Sequence, residues 1–358
     1  MSTLPHEDGV ARGRSGGKAL VLGIESSCDE TAAALVRGGR EIVSSSIHSQ
    51  AAIHAQWGGV VPEVAGRSHL TKILPVIDDA LAKAQLTLDD VDAIAVTTRP
   101  GLVGSLLVGL SAAKALAWVR ELPLVGVHHI EAHVYAATME HEVAANGGVY
   151  PCLALVVSGG HTALYRAESP LEMRSLATTR DDAAGEAFDK VAHVLGLGYP
   201  GGPRVSKLAE GGNPRAFDFP RFRSKDGSPG FSFSGLKTAV LYHVRGQDAR
   251  AALPPPESIR DRADVAASFE AAVVDALVDE TLRVARREGL RTVLVAGGVA
   301  CNQRLRREMK SRAESAGLRA LFPSPAYCTD NAVMIAGLGY EALAAGRTAD
   351  LALDASSR

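Results

Sequence analysis

Short apolar runs recur along the chain, each cut off by a polar or glycine-rich turn, and this is the pattern of buried strands. Residues 19–24 run into Glu25-Ser26-Ser27-Cys28-Asp29-Glu30, and a second apolar run follows at 31–36, which predicts strand, polar turn, strand. Residues 153–157 lead into Ser158-Gly159-Gly160-His161 and then 162–165 in the same way. Two copies of one design predict an internal duplication of architecture. Between them, 73–84 has the apolar spacing of a helix and 93–97 that of a strand. Residues 105–118 read as a further helix after the loop 99–104. Strands alternating with helices predict parallel pairing and the α/β class.

Downstream, 196–203 is rich in glycine and proline, and 215–237 is basic and without a period. Regular patterning returns with the amphipathic stretch 265–287, a buried strand at 292–296, the turn Gly297-Gly298 and a basic helix starting near Asn302. A last helix is predicted over 331–345, and Pro254-Pro255-Pro256 predicts a surface break. The expected division is a disordered tail over 1–18 and a first lobe over 19–140, with 325–348 packing back on it. A second lobe is expected over 141–324.

Composition sharpens this picture. A chain of 358 residues exceeds the usual size of one hydrophobic core, which favours two lobes. Apolar residues make up 46% but aromatics only 5%, and 36 glycines help fill the difference, so close helix-on-sheet packing is expected over a β-sandwich. The four cysteines are scattered without C-x-x-C spacing, which argues against a disulfide framework or a Cys-rich zinc site. A reducing, cytoplasmic setting is expected. No apolar stretch reads as a bilayer span, and the first residues lack the apolar core of a signal peptide, so no membrane partner is expected. A net charge of −2 means that any nucleic acid must be gripped by a local basic patch or with help from partners.

The sharpest chemical signal is His129-Ile130-Glu131-Ala132-His133. Residues four apart share one helix face, so the two imidazoles can chelate one metal, although the same spacing also serves a purely structural histidine pair. Glu131 does not stand next to the first histidine as the zincin pattern H-E-x-x-H requires. At about 100° per residue it projects roughly 200° from the His129 face, a poor position for a protease base. Asp330, at a loop-to-helix junction, can supply a third ligand or serve as a helix N-cap. Two histidines and one carboxylate leave open coordination positions suited to iron(II) or zinc.

Three glycine clusters carry the remaining signal. The turn after Val156 and Val157, formed by Ser158, Gly159 and Gly160, can expose consecutive backbone N–H groups to an anion. Gly297-Gly298 opens a helix with Asn302 beside it, an arrangement that favours nucleotides, and the cluster 198–203 includes Gly202. Asp189 lies with Glu186 on one face of the helical stretch 181–190. It can bind ribose hydroxyls or a cation, or simply be solvated. Arg215, Arg221, Arg223, Lys225 and Lys237 interleave with Phe217, Phe219, Phe222, Phe231 and Phe233. They read as an RNA-facing surface or as a loop whose rings are core, the second reading being favoured for most of the five.

In this order, the motifs resemble the TsaD family, called Gcp in older usage and once described as an O-sialoglycoprotein endopeptidase. The resemblance runs from about Leu20 to about Gly346. It rests on Gly23-Ile24-Glu25-Ser26-Ser27-Cys28-Asp29-Glu30-Thr31, on Gly58-Gly59-Val60-Val61-Pro62-Glu63, and on the stretches 157–162, 182–190, 231–238 and 329–332. It implies an actin-like, sugar-kinase-like (ASKHA) duplicated two-lobe fold with the active site in the interlobe cleft. The activity implied is transfer of the threonylcarbamoyl group from threonylcarbamoyl-AMP to N6 of the tRNA adenosine beside the anticodon.

Carried over by motif, His129, His133 and Asp330 resemble the ligands of one divalent metal, with iron(II) preferred to zinc(II). Val156, Val157, Ser158, Gly159, Gly160, Asp189, Gly202 and Asn302 resemble the threonylcarbamoyl-adenylate site, and Asp29 and Glu30 a catalytic acidic pair. The partners implied are tRNA, a degenerate TsaB-like paralogue and a TsaE-like ATPase. Two departures stand out: His128 occupies a position where the family usually has Asn, and Cys301 one where it has Ala. A metal-dependent glycopeptidase and a non-catalytic nucleotide-binding platform are the competing functional readings.

Overall fold

The computed structural model describes residues 18–141, 148–248, 250 and 252–358. The tail expected over 1–18 lies outside the described residues except for Lys18, as do 142–147 beside the expected lobe boundary. The chain forms two compact units. One comprises Met1–Gln50, Val60–Met139 and Asp330–Arg358, the other Ala51–Gly59 and Glu140–Thr329.

The first unit holds a sheet of β1 (Leu20–Glu25), β2 (Glu30–Arg37), β3 (Glu41–Ser49), β4 (Ala93–Arg99) and β5 (Leu124–His128). The short helix α1 (Ala51–His54) is counted with the second unit, while α2 (Pro62–Ala84), α3 (Val103–Arg120) and α4 (His129–Met139) belong to the first. The second unit holds β6 (Cys152–Val157), β7 (Thr162–Ser169), β8 (Glu172–Thr178), β9 (Thr292–Ala296) and β10 (Arg319–Leu321). Its helices are α5 (Ala184–Val194), α6 (Gly201–Ala209), α7 (Ser234–Arg245), α8 (Arg262–Arg287) and α9 (Gln303–Ser315), and the last helix, α10 (Ala332–Ala344), returns to the first unit.

The two sheets share one topology. The orders are β3-β2-β1-β4-β5 and β8-β7-β6-β9-β10, each with two antiparallel pairings on one side of its first strand and two parallel pairings on the other. β1, β6 and β9 are buried at every position, which is why their sequences read as unbroken apolar runs. β3 and β8 were not legible as strands, because at the sheet edge they alternate burial with exposure and carry serines, arginine and glutamate in place of an apolar run.

Three features of the first unit position its chemistry. α10 lies directly on β1 because Gly23 has no side chain: a Cβ there would stand 2.4 Å from the Ala332 carbonyl oxygen. α3 lies close to β1 through Gly109, where a Cβ would meet the Ser26 Oγ at 2.4 Å. α3 is also long and apolar enough to cross a bilayer by length and composition, a property not anticipated above. In the fold, its Ser105, Leu106, Gly109, Leu110, Ala113 and Ala117 are buried beside α2 and β4.

The basic stretch 215–237 has no helix or strand before Ser234, as its sequence suggests, and most of its rings are core. Phe219, Phe231 and Phe233 are buried in the core of the second unit, Phe217 packs against that core, and Phe222 lies under the Arg180 guanidinium at 5.2 Å. Arg221 pairs with Asp275, Arg223 with Asp279 and Lys237 with Asp182, and α7 begins inside the stretch.

Candidate active site

β5 ends at His128 and α4 begins at His129, so the helix starts at the carboxyl end of a parallel strand, where α/β sheets collect ligands. The first turn of α4 sets His129 beside His133, their rings 4.6 Å apart and nearly perpendicular at 86°. Asp330 immediately precedes α10. The helix cap is Asn331, whose side chain accepts the Met334 N–H at 3.0 Å, so the capping role does not fall to Asp330. Its Oδ1 lies 3.0 Å from His133 Nε2 and 3.4 Å from His129 Nε2, and one ligand atom from each of the three residues falls within 4.8 Å of the others.

A buried carboxylate stands behind this group. Glu25, at the end of β1, is 0% exposed, and its Oε2 lies 2.9 Å from His129 Nδ1. Glu25 also accepts the Thr97 hydroxyl at 2.7 Å and the Ser27 N–H at 2.5 Å. A carboxylate on the far nitrogen of an imidazole fixes its tautomer and ring orientation and raises its basicity, the usual support of a metal-bound histidine. Sequence reasoning quoted Glu25 within a motif but gave it no role. The available signal was a charged residue ending an all-apolar strand.

The donor set fits a divalent cation. Metal–ligand bonds of about 2.0–2.2 Å put neighbouring donor atoms about 3.0–3.4 Å apart, the range of the two Asp330 distances. Two carboxylates and two imidazoles share a buried space, so without a metal the charge is balanced by protons. Burial works against a charged His129, but Asp330 and Glu25 outweigh it and hold its pKa well above the ordinary value. Against the same burial, His129 holds the carboxyls of Glu25 and Asp330 below the ordinary range.

The linkage has a definite sign. The depressed carboxylates stabilise the metal-free fold above their ordinary pKa and lose that effect as pH falls, whereas His129 stabilises it below its ordinary pKa and loses that effect as pH rises through its raised value. A metal at the imidazole must displace the His129 proton. Affinity for zinc(II) or iron(II) is therefore expected to rise by up to about tenfold per pH unit through and above the ordinary imidazole range, until the raised His129 value is passed, with roughly one proton released. Calorimetry in buffers of different ionisation enthalpy measures that proton, and pH-independent binding would contradict it.

Glu30 opens β2 and Asp29 stands just before it. Burial first, then the Asp29 and Asp330 charges, push the Glu30 carboxyl up to about 9, while the Ser49 hydroxyl donates to it at 3.1 Å. Glu30 is therefore protonated at neutral pH beside Asp29. Burial raises the Glu131 carboxyl, and the charges that offset it are Arg99 and Arg347, not the histidine pair.

The second unit gathers the glycine turns. Val156 and Val157 are buried in β6, and the turn that follows is closed by the Ser158 N–H on the His161 carbonyl at 2.8 Å. Gly159 and Gly160 are exposed, with open space where a Cβ would point. The ends of β9 and α5 crowd the same turn. A Cβ at Gly297, where φ is 91°, would stand 2.5 Å from the Val157 carbonyl oxygen, and one at Gly185 would stand 2.6 Å from the Ser158 carbonyl oxygen.

A second group forms around α6. Asp189 Oδ1 accepts the Gly201 N–H at 2.7 Å at the helix start, and Gly202 faces open space. Asn302 caps α9 through the Leu305 N–H at 2.8 Å and donates to Glu270 at 2.7 Å and to Ser206 of α6 at 3.0 Å. Glu270 and Ser206 carried no signal in the sequence. Of the other acidic side chains, Asp182 is engaged by Lys190 and Lys237, and Asp181 binds the N–H groups of Phe233 and Ser234 at the start of α7.

A family profile described as TsaD, tRNA N6-adenosine threonylcarbamoyltransferase, matches residues 41–337. The chain belongs to the TsaD family. It is 53% identical over 338 residues to the tRNA N6-adenosine threonylcarbamoyltransferase of Syntrophotalea carbinolica, covering 94% of this chain and 96% of the relative. Against the enzyme of the same name from Geobacter sulfurreducens it is 56% identical, covering 94% and 95% of the two chains. Among solved structures, full-length HypF aligns with a TM-score of 0.59 at 12% identity, over 94% of this chain and 48% of that one. The Acidaminococcus fermentans (R)-2-hydroxyglutaryl-CoA dehydratase component A aligns with a TM-score of 0.52 at 14% identity, over 91% and 99%. The fold is therefore actin-like, of the ASKHA class, as the duplicated hairpins foretold. TsaD membership makes the chain a transferase of tRNA modification.

Proposed function

We propose that this chain transfers the threonylcarbamoyl group from threonylcarbamoyl-AMP to N6 of the tRNA adenosine beside the anticodon, in tRNAs reading codons that begin with A. The observation that carries this reading is identity of 53–56% to enzymes of that name over 94% of the chain. Supporting it is a buried His-His-Asp group backed by a carboxylate.

His129, His133 and Asp330 would hold one divalent metal, with iron(II) preferred to zinc(II) on the family resemblance. When bound, the metal polarises and orients the threonylcarbamoyl carbonyl. Glu25 fixes the His129 ring. The turn of Ser158, Gly159 and Gly160, with Val156 and Val157 behind it, offers the two glycine N–H groups to the adenylate phosphate. Asp189, Gly202 and Asn302 define the nucleoside side through α6. The adenosine amine attacks the carbamoyl carbon, the bond from that carbon to the phosphate oxygen breaks, and AMP leaves. Asp29, beside protonated Glu30, accepts the amine proton.

The partners expected are a degenerate TsaB-like paralogue and a TsaE-like ATPase, which compensate for a net charge of −2 in gripping tRNA. The test supplies threonylcarbamoyl-AMP with labelled threonine, unmodified tRNA and the partners. Label is expected in tRNA in step with AMP release and only when this chain is present. Label entering tRNA equally without the chain would overturn the assignment.

A further inference from the structure

Cys301 and Cys328 meet at a place for which the transfer reaction has no use. Cys301 closes the helical turn Gly298–Cys301 that leads into Asn302, and Cys328 follows a second such turn, Pro325–Tyr327. The Pro325 carbonyl joins them, accepting the Cys328 N–H at 3.4 Å. Cys301 Sγ also contacts the Pro325 carbonyl at 3.6 Å, and Cys328 Sγ contacts the Ser324 carbonyl at 3.5 Å.

One cation braces both turns. Arg306 donates from Nε to the Ala300 carbonyl at 2.7 Å and from Nη2 to the Pro323 carbonyl at 2.5 Å and to Cys328 Sγ at 3.3 Å. Cys301 is half-buried and within reach of a small solute, whereas Cys328 is fully buried behind it. A reachable thiol, a second cysteine on the same carbonyl and a guanidinium alongside are the parts of a reactive and a resolving cysteine.

We infer that Cys301 is a site of peroxide oxidation and that Cys328 resolves it into an intramolecular disulfide. The Cys301 sulfur attacks one peroxide oxygen and the O–O bond breaks, leaving a sulfenic acid and, after protonation, one water. The Cys328 sulfur then attacks the sulfenic sulfur. The S–O bond breaks, and its oxygen leaves as a second water with the Cys328 proton. Two thiols and one hydrogen peroxide thus become one disulfide and two waters, the two electrons passing from sulfur to peroxide.

The remaining cysteines lack this setting. Burial pushes the Cys152 thiol up to about 12 and raises Cys28 further. Neither Cys28 nor Cys152 is expected to react at neutral pH.

The test uses the reduced full chain, hydrogen peroxide and alkylation, read by peptide mass. The expected product joins the peptides of Cys301 and Cys328 with loss of two hydrogens, reverts with a dithiol reductant, and leaves Cys28 and Cys152 alkylated. Cys301→Ala removes one sulfur from a half-exposed position and should fold, leaving Cys328 unoxidised. Cys328→Ser should trap a Cys301 sulfenic acid that reacts with dimedone. Persistent alkylation of Cys301 after peroxide, or its oxidation without any link to Cys328, would sink the inference. Because the readout is covalent, it stands or falls independently of the transfer activity.

Discussion

His133→Ala is expected to leave the protein without bound metal and to lower threonylcarbamoyl transfer by about a thousandfold or more. A cation that polarises a carbonyl contributes several kcal/mol to the transition state, and about 4 kcal/mol corresponds to roughly that factor. His133 is 1% exposed, and its Nε2 makes the closest approach to Asp330, at 3.0 Å. Removing the ring leaves His129 and Asp330 as two donors, too few to retain iron or zinc against a chelator. Metal analysis, single-turnover transfer and circular dichroism together test this. A folded variant that still transfers at the parent rate without metal would refute the metal assignment.

Glu25→Gln is expected to weaken metal binding by about 10–100-fold, the usual cost of losing the group that orients a ligating histidine. The carboxylate accepts from three sides: Ser27 N–H on Oε1, and the Thr97 hydroxyl and His129 Nδ1–H on Oε2. An amide has one acceptor oxygen, so its NH2 must face at least one existing donor. The substitution also removes a negative charge that raises the His129 pKa. The pH dependence of metal binding should therefore move to lower pH, a change that loosened packing alone would not produce. Competition dialysis at several pH values gives both quantities, and an unchanged affinity with an unchanged pH profile would end the positioning role.

The chemistry depends on groups of different reach along the chain. The pairing of His129 with His133 was legible because a helix fixes the relation of residues four apart through local geometry alone. The duplicated strand–turn–strand units were legible because their central strands are buried on both faces. β3 and β8 were not, since a half-exposed edge strand carries no apolar run. The stretch 215–237 is irregular as read until α7 begins at Ser234, and its Phe219, Phe231 and Phe233 join a core with residues of α5 and α8 that no period records.

Sequence alone determined the α/β class, the duplication, the placing of two histidines on one helix face and the glycine turns, all of which follow from local periodicity or residue type. Only the tertiary structure decided that Asn331 and not Asp330 caps α10, that Glu25 backs His129 across 104 positions of chain, and that Cys301 and Cys328 share the Pro325 carbonyl. Each of these depends on which strand ends a sheet brings side by side. That pairing is set by burial summed over the whole core, so no short window of sequence contains it.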